Sequence, residues 1–428
     1  MKKQSDTKML IKNARFIVTQ NKKREIIENK DIKIVNGKIE SIGKGFKNDD
    51  ETIDAKNKIV LPGLINSHTH SPMVLFRGTG DETDLHSWLS NSIVPEEKKM
   101  NKKKVYYGSL LSILEKISTG TTCYCDMYSF YNSIIKAVNE TGIRCFLSTG
   151  LKDHNNEEKI YDEIKKSTLL IKSIEKNKNP LIKPVLALHW TLTCSDKLIE
   201  NICKDNKKNL PVCMHVSETK KEVEENKKLY GKRPIERLNG LNVLNENFVA
   251  IHCVNLSDNE IDILAKNRCK VIHNPASNMK LSDGICPVVK MLKKGICVSL
   301  GTDSAASNDN LNMFEEMRMS ALLQKVVNSA DAITAKEVFD MATVNASKIF
   351  SDKIGSIEIG KYADLILINK KDITINPINK KRIISNLVYS FDGRVSDVIV
   401  NGNTLIENYN FSTLDKDKIL DNIEKLTL

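Results

Sequence analysis

Histidine and carboxylate residues stand at the ends of several short apolar runs, where they are suited to binding a metal ion. His68 and His70 follow one such run. Residues i and i+2 of an extended segment face the same side, so both imidazoles can approach one ion. The other polar residues at run ends are His215 with Glu218, His252, and Asp303. Together these residues supply nitrogen and oxygen donors that suit Zn²⁺ or Fe²⁺ with a position left for water, although each residue alone also fits an ordinary buried or loop role.

These residues need a scaffold that brings distant segments to one face, and the apolar runs supply it. The runs alternate with helical stretches such as segment 105–118, whose apolar stripe precedes Gly120. Eight such units in about 290 residues favour a closed (β/α)8 barrel of the TIM type over a doubly wound sheet. No Gly-x-Gly-x-x-Gly follows any run, which weakens the dinucleotide-binding alternative. The runs are 59–65, 121–127, 144–151, 184–189, 211–216, 248–254, 269–272 and 296–300.

The two ends of the chain resemble each other more than they resemble the middle. Asn36-Gly37 and Asn401-Gly402 each lie between alternating apolar and polar residues, which predicts type I′ hairpins because Asn and Gly tolerate positive φ. Isolated hairpins are marginally stable in water, so the terminal strands, including 365–368, are expected to pack together. The predicted units are a discontinuous β-sandwich domain of residues 1–60 and 360–428, a barrel of residues 61–359, and a terminal helix near residues 413–428.

The composition limits the classes of protein that the chain can be. Its 428 residues are 40% apolar and 28% charged, as expected of one large globular domain with a small appendage. The net charge of +11 raises the alternative of a nucleic-acid-binding protein. However, only ten of the 65 basic residues are Arg, the lysines are dispersed, and aromatic residues make up 5%. We therefore expect no nucleic-acid partner. We also expect no membrane partner, because no apolar run reaches ~18 residues.

The cysteines and the start of the chain bear on its compartment. Many of the ten cysteines lie inside apolar runs, as small buried residues do in a reducing cytoplasm. Only Cys123 and Cys125 are closely spaced, which is weak support for a metal site. Residues 1–6 carry positive charge with no apolar stretch behind them, so no signal peptide is expected. The sequence therefore predicts a cytoplasmic protein.

Three segments give the chain a recognisable pattern. They are residues 61–70 (LPGLINSHTH), 272–281 (IHNPASNMKL) and 300–308 (LGTDSAASN). With these segments the sequence resembles the metal-dependent amidohydrolase superfamily over nearly its whole length. Within that superfamily it is most similar to the 5′-methylthioadenosine/S-adenosylhomocysteine deaminases. The resemblance implies a purine nucleoside as substrate, a homo-oligomer, and the composite terminal β-domain.

The resemblance also implies the roles of the polar residues at the run ends. One divalent ion, with Zn²⁺ favoured and Fe²⁺ or Mn²⁺ as alternatives, would activate a water molecule for attack on the adenine carbon that bears the amine. Glu218 would move a proton to the neighbouring ring nitrogen, and Asp303 would carry the water's proton to the departing ammonia. His252 would hydrogen-bond the developing oxyanion. The implied metal ligands are His68, His70, His215 and Asp303.

The resemblance assigns further residues to the substrate pocket, in addition to Glu218 and Asp303. Glu97, a few residues after Trp88, takes the place of a carboxylate that contacts the ribose hydroxyls, with Glu96 as the alternative. Glu97 is also compatible with a helix-terminal charge after a proline, and Trp88 with simple packing. The other candidates are His189 at the fourth run, Ser307, which is equally compatible with capping a turn, and His273, which we interpret as structural.

One departure from the family pattern concerns the 5′ substituent of the nucleoside. Many members place an Arg where this chain has Thr149, and an Arg could bind the carboxylate of a homocysteine tail through its two-pronged fork. Arg144, Lys152 and Lys159 do not replace that geometry. We therefore expect neutral 5′-substituted adenosines to be the better substrates. The alternative within the superfamily is a deaminase of another aminated heterocycle, namely guanine, a pterin or an s-triazine.

Overall fold

The computed structural model describes residues 8–47 and 51–427. The charged start of the chain, where no signal peptide is expected, and residue 428 at the end of the predicted terminal helix lie outside this range. No helix of the described residues is long and apolar enough to span a membrane.

Nineteen strands occur in the described part of the chain. In order they are β1 Lys8–Val18, β2 Ile26–Val35, β3 Lys38–Gly43, β4 Glu51–Asp54, β5 Lys58–Pro62, β6 Leu64–Thr69, β7 Thr121–Met127, β8 Arg144–Ser148, β9 Gly150–Leu151, β10 Ile182–Pro184, β11 Leu186–Trp190, β12 Val212–Val216, β13 Phe248–His252, β14 Lys270–His273, β15 Cys297–Leu300, β16 Leu365–Asn369, β17 Asp397–Val400, β18 Asn403–Glu407 and β19 Asn410–Phe411.

Seventeen α-helices connect and cover these strands in the same residues, together with short 3₁₀ turns at Ser71–Phe76 and Glu157–Lys159 and a π-helical turn at Leu89–Ile93. The helices are α1 Leu85–Trp88, α2 Val94–Glu97, α3 Lys102–Ser118, α4 Tyr131–Thr141, α5 Ile160–Asn177, α6 Asp196–Lys204, α7 Lys220–Tyr230, α8 Pro234–Gly240, α9 Asp258–Lys266, α10 Pro275–Lys280, α11 Val288–Lys293, α12 Ala305–Asn308, α13 Met313–Val327, α14 Ala335–Met341, α15 Val344–Phe350, α16 Ile383–Tyr389 and α17 Lys416–Thr427.

Eight parallel strands form the predicted (β/α)8 barrel. Strands β6, β7 and β8 pair in order, as do β11 to β15. The third and fourth barrel strands are each interrupted, so that β8 pairs with β10 and β9 pairs with β11. The N–H of Asp303 donates to the carbonyl of His68 over 3.0 Å. This bond joins the segment after the eighth strand to the first strand, and the polar run ends therefore meet at one rim of the barrel.

The first predicted barrel strand, residues 59–65, is wrong as a single element. It divides at Gly63 into β5, which belongs to the sheet of the terminal segments, and β6, which begins the barrel. A Cβ at Gly63 would lie 2.0 Å from Oγ1 of Thr122, so only glycine permits this close approach of the two segments. The predicted metal ligands His68 and His70 therefore lie at the end of β6, with His68 inside the strand and His70 directly after it.

The terminal segments form one sheet of nine strands, in the order β19-β18-β17-β16-β5-β1-β2-β3, with β4 beside β1. Both predicted hairpin turns are present, with positive φ at Asn36 and Gly37 and at Asn401 and Gly402. The turns also touch each other, because a Cβ at Gly37 would lie 2.5 Å from the carbonyl oxygen of Asn401. The sheet encloses its own apolar core, to which both ends of the chain contribute.

A buried ion pair connects this sheet to the barrel. Arg144 of β8 donates from Nε and Nη2 to the two carboxylate oxygens of Asp364 over 2.6 and 2.9 Å, and Asp364 also accepts the N–H of Asn401 over 2.8 Å. The guanidinium is therefore used between the two parts of the fold and is not a substitute for an Arg at Thr149. The domain boundaries at residues 60 and 360 stay a prediction.

Candidate active site

The four predicted metal ligands converge at the rim of the barrel. Oδ1 of Asp303 lies 3.3 Å from Nε2 of His68 and 3.4 Å from Nε2 of His70. Nε2 of His215 lies 3.2 Å from Nε2 of His68. Residues from the first, fifth and eighth strands thus direct one donor atom each toward a common point.

Backbone carbonyls orient two of these imidazoles. Nδ1 of His70 lies 2.7 Å from the carbonyl oxygen of Met127, and Nδ1 of His215 contacts the carbonyl of His189. A carbonyl only accepts, so each Nδ1 carries the proton and each Nε2 keeps a free lone pair. Burial and the neighbouring imidazoles lower the pKa of His215 well below its usual value, which keeps the ring in the neutral form that can bind a metal.

The second oxygen of the Asp303 carboxylate is held from behind. Ser277 and Ser307 donate their hydroxyls to Oδ2 over 2.7 and 2.9 Å, which leaves Oδ1 facing the imidazoles. Burial acts to raise the pKa of Asp303, but the hydrogen bond to His68 and the nearby imidazoles outweigh it and hold the pKa well below its usual value. Asp303 is therefore available as an anionic ligand and proton acceptor.

Left-handed backbone recurs around these side chains. Ser217, His252, Cys253 and Asp303 all have φ between 53° and 73°. Non-glycine residues adopt this conformation at a cost of about 1–3 kcal/mol each and keep it where the surroundings enforce it. These left-handed residues lie at the ends of β12, β13 and β15, where the side chains turn toward the rim.

Glu218 and His252 lie side by side next to the metal-binding group. Nε2 of His252 is 3.4 Å from Oε1 of Glu218. Burial, together with Asp283 and the Asp303 carboxylate, raises the pKa of Glu218 well above its usual value, which favours the protonated carboxyl. Burial lowers the pKa of His252 to about 3, so this ring is neutral. A protonated carboxyl beside a neutral imidazole is suited to general acid catalysis.

The backbone of Glu218 is fixed by two residues that the sequence analysis did not identify. Oε2 of Glu222 accepts the N–H of Glu218 over 2.7 Å. Nδ2 of Asn255 donates to the carbonyl of Glu218 over 2.7 Å. Glu222 itself is placed by the cap of α7, where the Thr219 hydroxyl accepts the N–H of Glu222 over 3.0 Å.

The side chains permit two overlapping groups of metal-binding atoms. One consists of His68, His70 and Asp303, and the other of His68, His215 and His252, with the donor atoms of each group within 4.8 Å of one another. The spacing of the donor atoms alone therefore does not distinguish His252, which the resemblance assigns to hydrogen bonding, from the three predicted histidine ligands.

A cavity of about 520 Å³ opens over this group. It contains most of the residues predicted to contact the substrate and has an apolar wall that includes Met73, Leu85, Leu89 and Ile93. Its size and mixed lining are those of a site for a small organic molecule. The predicted site residues in its wall are His70, Trp88, Glu97, Thr149, His189, His215, Glu218, His252 and Asp303.

The two candidate carboxylates near Trp88 are separated by the structure. Glu97 lines the cavity beside Tyr128, and burial and the neighbouring Glu97 raise the pKa of the Tyr128 hydroxyl. Glu96 instead pairs with Lys99 over 2.6 Å outside the cavity wall. Trp88 is buried, and its indole N–H donates to the carbonyl of Thr79 over 3.1 Å, so its ring is fixed in the wall.

His189 and Thr149 both lie in the cavity wall. Nδ1 of His189 is 2.9 Å from Oγ1 of Thr193, and burial and the charge of Lys152 lower the pKa of His189 to about 3. Thr149 separates β8 from β9 and lies near Lys152 and Lys166. Lys166 pairs with Glu163, whereas no carboxylate among the described residues forms an ion pair with Lys152. Lys159 lines a neighbouring surface cavity instead.

Ser307 and His273 lie outside the cavity wall. Ser307 is fully buried and donates to Asp303, and its contact with the nucleoside tail stays a prediction. His273 is also fully buried, and neither of its ring nitrogens has a hydrogen-bond partner in the described part of the chain. This placement is compatible with the structural role expected for His273.

Ser277 and Asn278 were missed by the sequence analysis although they belong to the well-matched segment 272–281. Their hydroxyl and amide contact Asp303 and His252. The signal was the segment itself, which carries several short polar residues directly after a barrel strand. These short polar residues, and not the histidine of the segment, contact Asp303 and His252.

An eight-stranded barrel with three imidazoles and a carboxylate at the rim, beside a second, buried carboxyl and a cavity, defines the class of metal-dependent barrel hydrolases. The chain belongs to the amidohydrolase family, whose sequence model matches residues 59–405.

Two relatives that match nearly the whole chain are named as deaminases. The chain is 41% identical over 423 residues to the 5′-deoxyadenosine deaminase of Methanococcus maripaludis, covering 98% of this chain and 99% of the relative. It is 44% identical over 402 residues to the 5-methylthioadenosine/S-adenosylhomocysteine deaminase of Thermococcus sibiricus, covering 93% and 94%. Among solved structures, an adenosine deaminase from Xanthomonas campestris with bound zinc superposes with a TM-score of 0.92 at 29% identity, covering 97% of each chain.

Proposed function

We propose that this protein is a metal-dependent deaminase that converts a 5′-substituted adenosine into the corresponding inosine analogue and ammonia. The observation that carries the proposal is the buried Glu218 carboxyl, which lies 3.4 Å from Nε2 of His252 in the wall of a nucleoside-sized cavity and whose pKa burial raises. The chain around it is more than 40% identical, over nearly its full length, to relatives named for this activity. 5′-Methylthioadenosine, S-adenosylhomocysteine, 5′-deoxyadenosine and adenosine are the candidate substrates.

The residues at the rim fit a divalent cation. Nε2 of His215 carries a lone pair and faces Nε2 of His68 over 3.2 Å, with the Asp303 carboxylate close by. Unprotonated nitrogens and an anionic oxygen held at this spacing favour a cation between them. His68, His70, His215 and Asp303 would hold it. When bound, a divalent ion lowers the pKa of a water molecule so that hydroxide is available at neutral pH.

The zinc of the Xanthomonas relative favours Zn²⁺ here as well. Fe²⁺ and Mn²⁺ also suit three imidazoles and one carboxylate. The identity of the metal in the cell is therefore a matter for direct measurement on the purified protein.

Three side chains would manage the protons of the reaction. Glu218 would donate its proton to the ring nitrogen next to C6 as that carbon becomes tetrahedral. Asp303 would accept one proton from the attacking water and transfer it to the amine, so that the C6–N bond breaks as ammonia leaves. The remaining proton of the added hydroxyl would return to Glu218 as the C6=O bond forms. His252 would donate a hydrogen bond to the oxygen added at C6.

The cavity wall offers contacts for the rest of a nucleoside. Glu97 would accept hydrogen bonds from the ribose hydroxyls, and the fixed ring of Trp88 would pack against the substrate. His189, with Nδ1 bound to Thr193, would present its other ring nitrogen to the nucleoside. Thr149 would face the 5′ substituent, and the absence of a guanidinium there favours neutral substituents.

The compartment and assembly are also part of the proposal. All ten cysteines are free, and eight of them are buried, which favours the reducing cytoplasm. The division into a barrel of residues 61–359 and a composite β-sandwich domain of residues 1–60 and 360–428 stays a prediction, as does a homo-oligomeric assembly.

An ammonia-release screen tests the proposed function. The metal-loaded protein and a His215→Ala variant are incubated with the four adenosines and with guanine, a pterin and an s-triazine. We expect ammonia from the adenosines with the wild-type protein and at most trace activity with the variant. Release from another heterocycle alone would assign a different substrate, and no release from any adenine nucleoside would reject the proposal.

A further inference from the structure

His252 differs from the other imidazoles of the site in what surrounds its Nδ1 atom. Nδ1 of His70 and of His215 each faces a backbone carbonyl. Nδ1 of His252 instead lies 3.0 Å from Nδ2 of Asn278 and 3.2 Å from Nδ2 of Asn274. A side-chain amide nitrogen donates and does not accept, so these contacts require a lone pair on Nδ1.

The orientation of the Asn278 amide follows from its second contact. Nδ2 of Asn278 also donates to Oδ2 of Asp283 over 3.2 Å. Turning the amide over would place its oxygen against the carboxylate and cost this bond. The two hydrogens of the amide are thus directed one to Asp283 and one to His252, in a fully enclosed position.

A neutral imidazole carries one proton, so a lone pair on Nδ1 places that proton on Nε2. Nε2 is the atom that faces Oε1 of Glu218 over 3.4 Å. A protonated nitrogen has no lone pair with which to bind a metal. His252 is therefore excluded as a ligand although it lies close to His68 and His215.

We propose that Asn278, anchored by Asp283, is a positioning residue that fixes His252 in the Nε2–H tautomer and so makes it a hydrogen-bond donor instead of a metal ligand. The catalytic part of this inference rests on the proposed deaminase function, whereas the tautomer itself does not. Asn274 acts as the second donor but lacks the anchoring carboxylate.

Nuclear magnetic resonance of the ring nitrogens tests the tautomer directly. The zinc-loaded protein is prepared with isotopically labelled histidine, and a His252→Gln variant identifies the signals of His252. We expect the shift of a protonated nitrogen at Nε2 and of an unprotonated nitrogen at Nδ1. The reverse pattern, which a protonated Asp283 and an overturned Asn278 amide would produce, would overturn the proposal, as would the shift of a metal-bound Nε2.

Variants of Asn278 test the positioning role. Asn278→Asp replaces the donor with acceptors and is expected to move the proton of His252 to Nδ1. Asn278→Ala removes the donor and is expected to leave a mixture of tautomers. The control is Asn386→Asp, which lies far from the site and also loses two donated hydrogen bonds. This variant should leave the His252 signals unchanged. Unchanged signals in both folded Asn278 variants would contradict the proposal.

Kinetics connect the tautomer to catalysis. A wrong tautomer removes a hydrogen bond that forms in the transition state, so Asn278→Ala should lower kcat by ~10²-fold and change KM by less than ~3-fold. A fall in kcat without any change in the His252 signals would assign Asn278 a purely structural role and contradict the inference. The predicted tautomer in a protein that deaminates no adenosine would instead reject the proposed function and leave the tautomer assignment in place.

Discussion

The hydroxyl of Ser277 donates a hydrogen bond to Oδ2 of Asp303 over 2.7 Å, while Oδ1 of the same carboxylate faces His68 and His70. Ser277 lies in the segment after the seventh barrel strand, and Asp303 follows the eighth. This contact between neighbouring strand ends acts together with the hydrogen bond from Ser307 to the same oxygen, so that Oδ1 is the carboxylate oxygen presented at the rim.

Loss of this hydroxyl is expected to weaken metal binding. Partners that orient ligands typically contribute ~10–100-fold to affinity, and Ser307 retains one bond to Asp303, so Ser277→Ala should raise the Kd for zinc by ~10-fold. Titration with a competing chelator measures it. Ser320→Ala is the matched control, because Ser320 is buried and its hydroxyl has no hydrogen-bond partner among the described residues. Equal zinc affinities in the two variants would contradict the assignment.

Replacing the proton donor should affect turnover and spare binding. Glu218→Gln keeps the shape of the side chain but cannot release a proton, so kcat should fall ~10²–10⁴-fold with KM nearly unchanged. Steady-state kinetics on 5′-deoxyadenosine measure kcat and KM, and zinc is determined in each sample. Glu224→Gln, an exposed change in helix α7 directly after Glu218, should retain wild-type rates. A Glu218→Gln variant with more than a tenth of the wild-type kcat would exclude the proposed acid.

Features that depend on local sequence could be predicted, and features that depend on contacts between segments could not. The Asn36-Gly37 and Asn401-Gly402 turns and the polar ends of the barrel strands follow from neighbouring residues alone. The close approach of Gly63 to Thr122 joins residues that are separated in sequence by β6 and the helices α1, α2 and α3. The first strand was accordingly misplaced, although the barrel itself was predicted.

The same reason explains which parts of the site were missed. The predicted ligands could be recognised because each follows an apolar run and has a side chain suited to a metal. Ser277, Asn278 and Glu222 carry ordinary polar groups whose roles arise only from what they contact. Sequence likewise does not reveal that the hydroxyl of Ser307, which is predicted to contact the nucleoside tail, also donates to Asp303.

An arginine at Thr149 should extend the substrate range toward carboxylate-bearing nucleosides. Wild-type protein is expected to have a higher kcat/KM for 5′-methylthioadenosine than for S-adenosylhomocysteine. Thr149→Arg should raise the second value ~10-fold or more relative to the first, because a guanidinium can bind the carboxylate with two bonds.

Thr149→Gln provides length without charge and should not shift this ratio. Competition between the two nucleosides in one reaction gives the ratio directly. A wild-type preference for S-adenosylhomocysteine would show that Lys152 or another group already serves its carboxylate, contrary to the expectation.

Glu316 should make stability depend on pH. Burial raises the pKa of this carboxyl to about 8, although Asn308 and the N–H of Ala276 donate to it. Between the usual pKa of 4.5 and about 8, the folded protein holds a proton that the unfolded chain releases. The free energy of unfolding from this group therefore falls as the pH rises through that window, by at most on the order of 5 kcal/mol.

Glu316→Gln carries no titrating proton, so its Tm should fall less than that of the wild-type protein as the pH rises from about 5 to about 8. Thermal unfolding of both proteins at matched pH values provides the comparison. Glu315→Gln, a half-buried neighbour in the same helix, should follow the wild-type profile. Parallel profiles for Glu316→Gln and the wild-type protein would contradict the prediction.

The central claim is hydrolytic replacement of the 6-amino group of a 5′-substituted adenosine by oxygen from water. Its most direct test is mass spectrometry of the product formed from 5′-deoxyadenosine in water enriched in the heavy oxygen isotope, with ammonia measured in the same sample. We predict 5′-deoxyinosine with one heavy oxygen per molecule and an equal amount of ammonia, and neither product from the His215→Ala variant. Unchanged 5′-deoxyadenosine, or a product without heavy oxygen, would contradict the account.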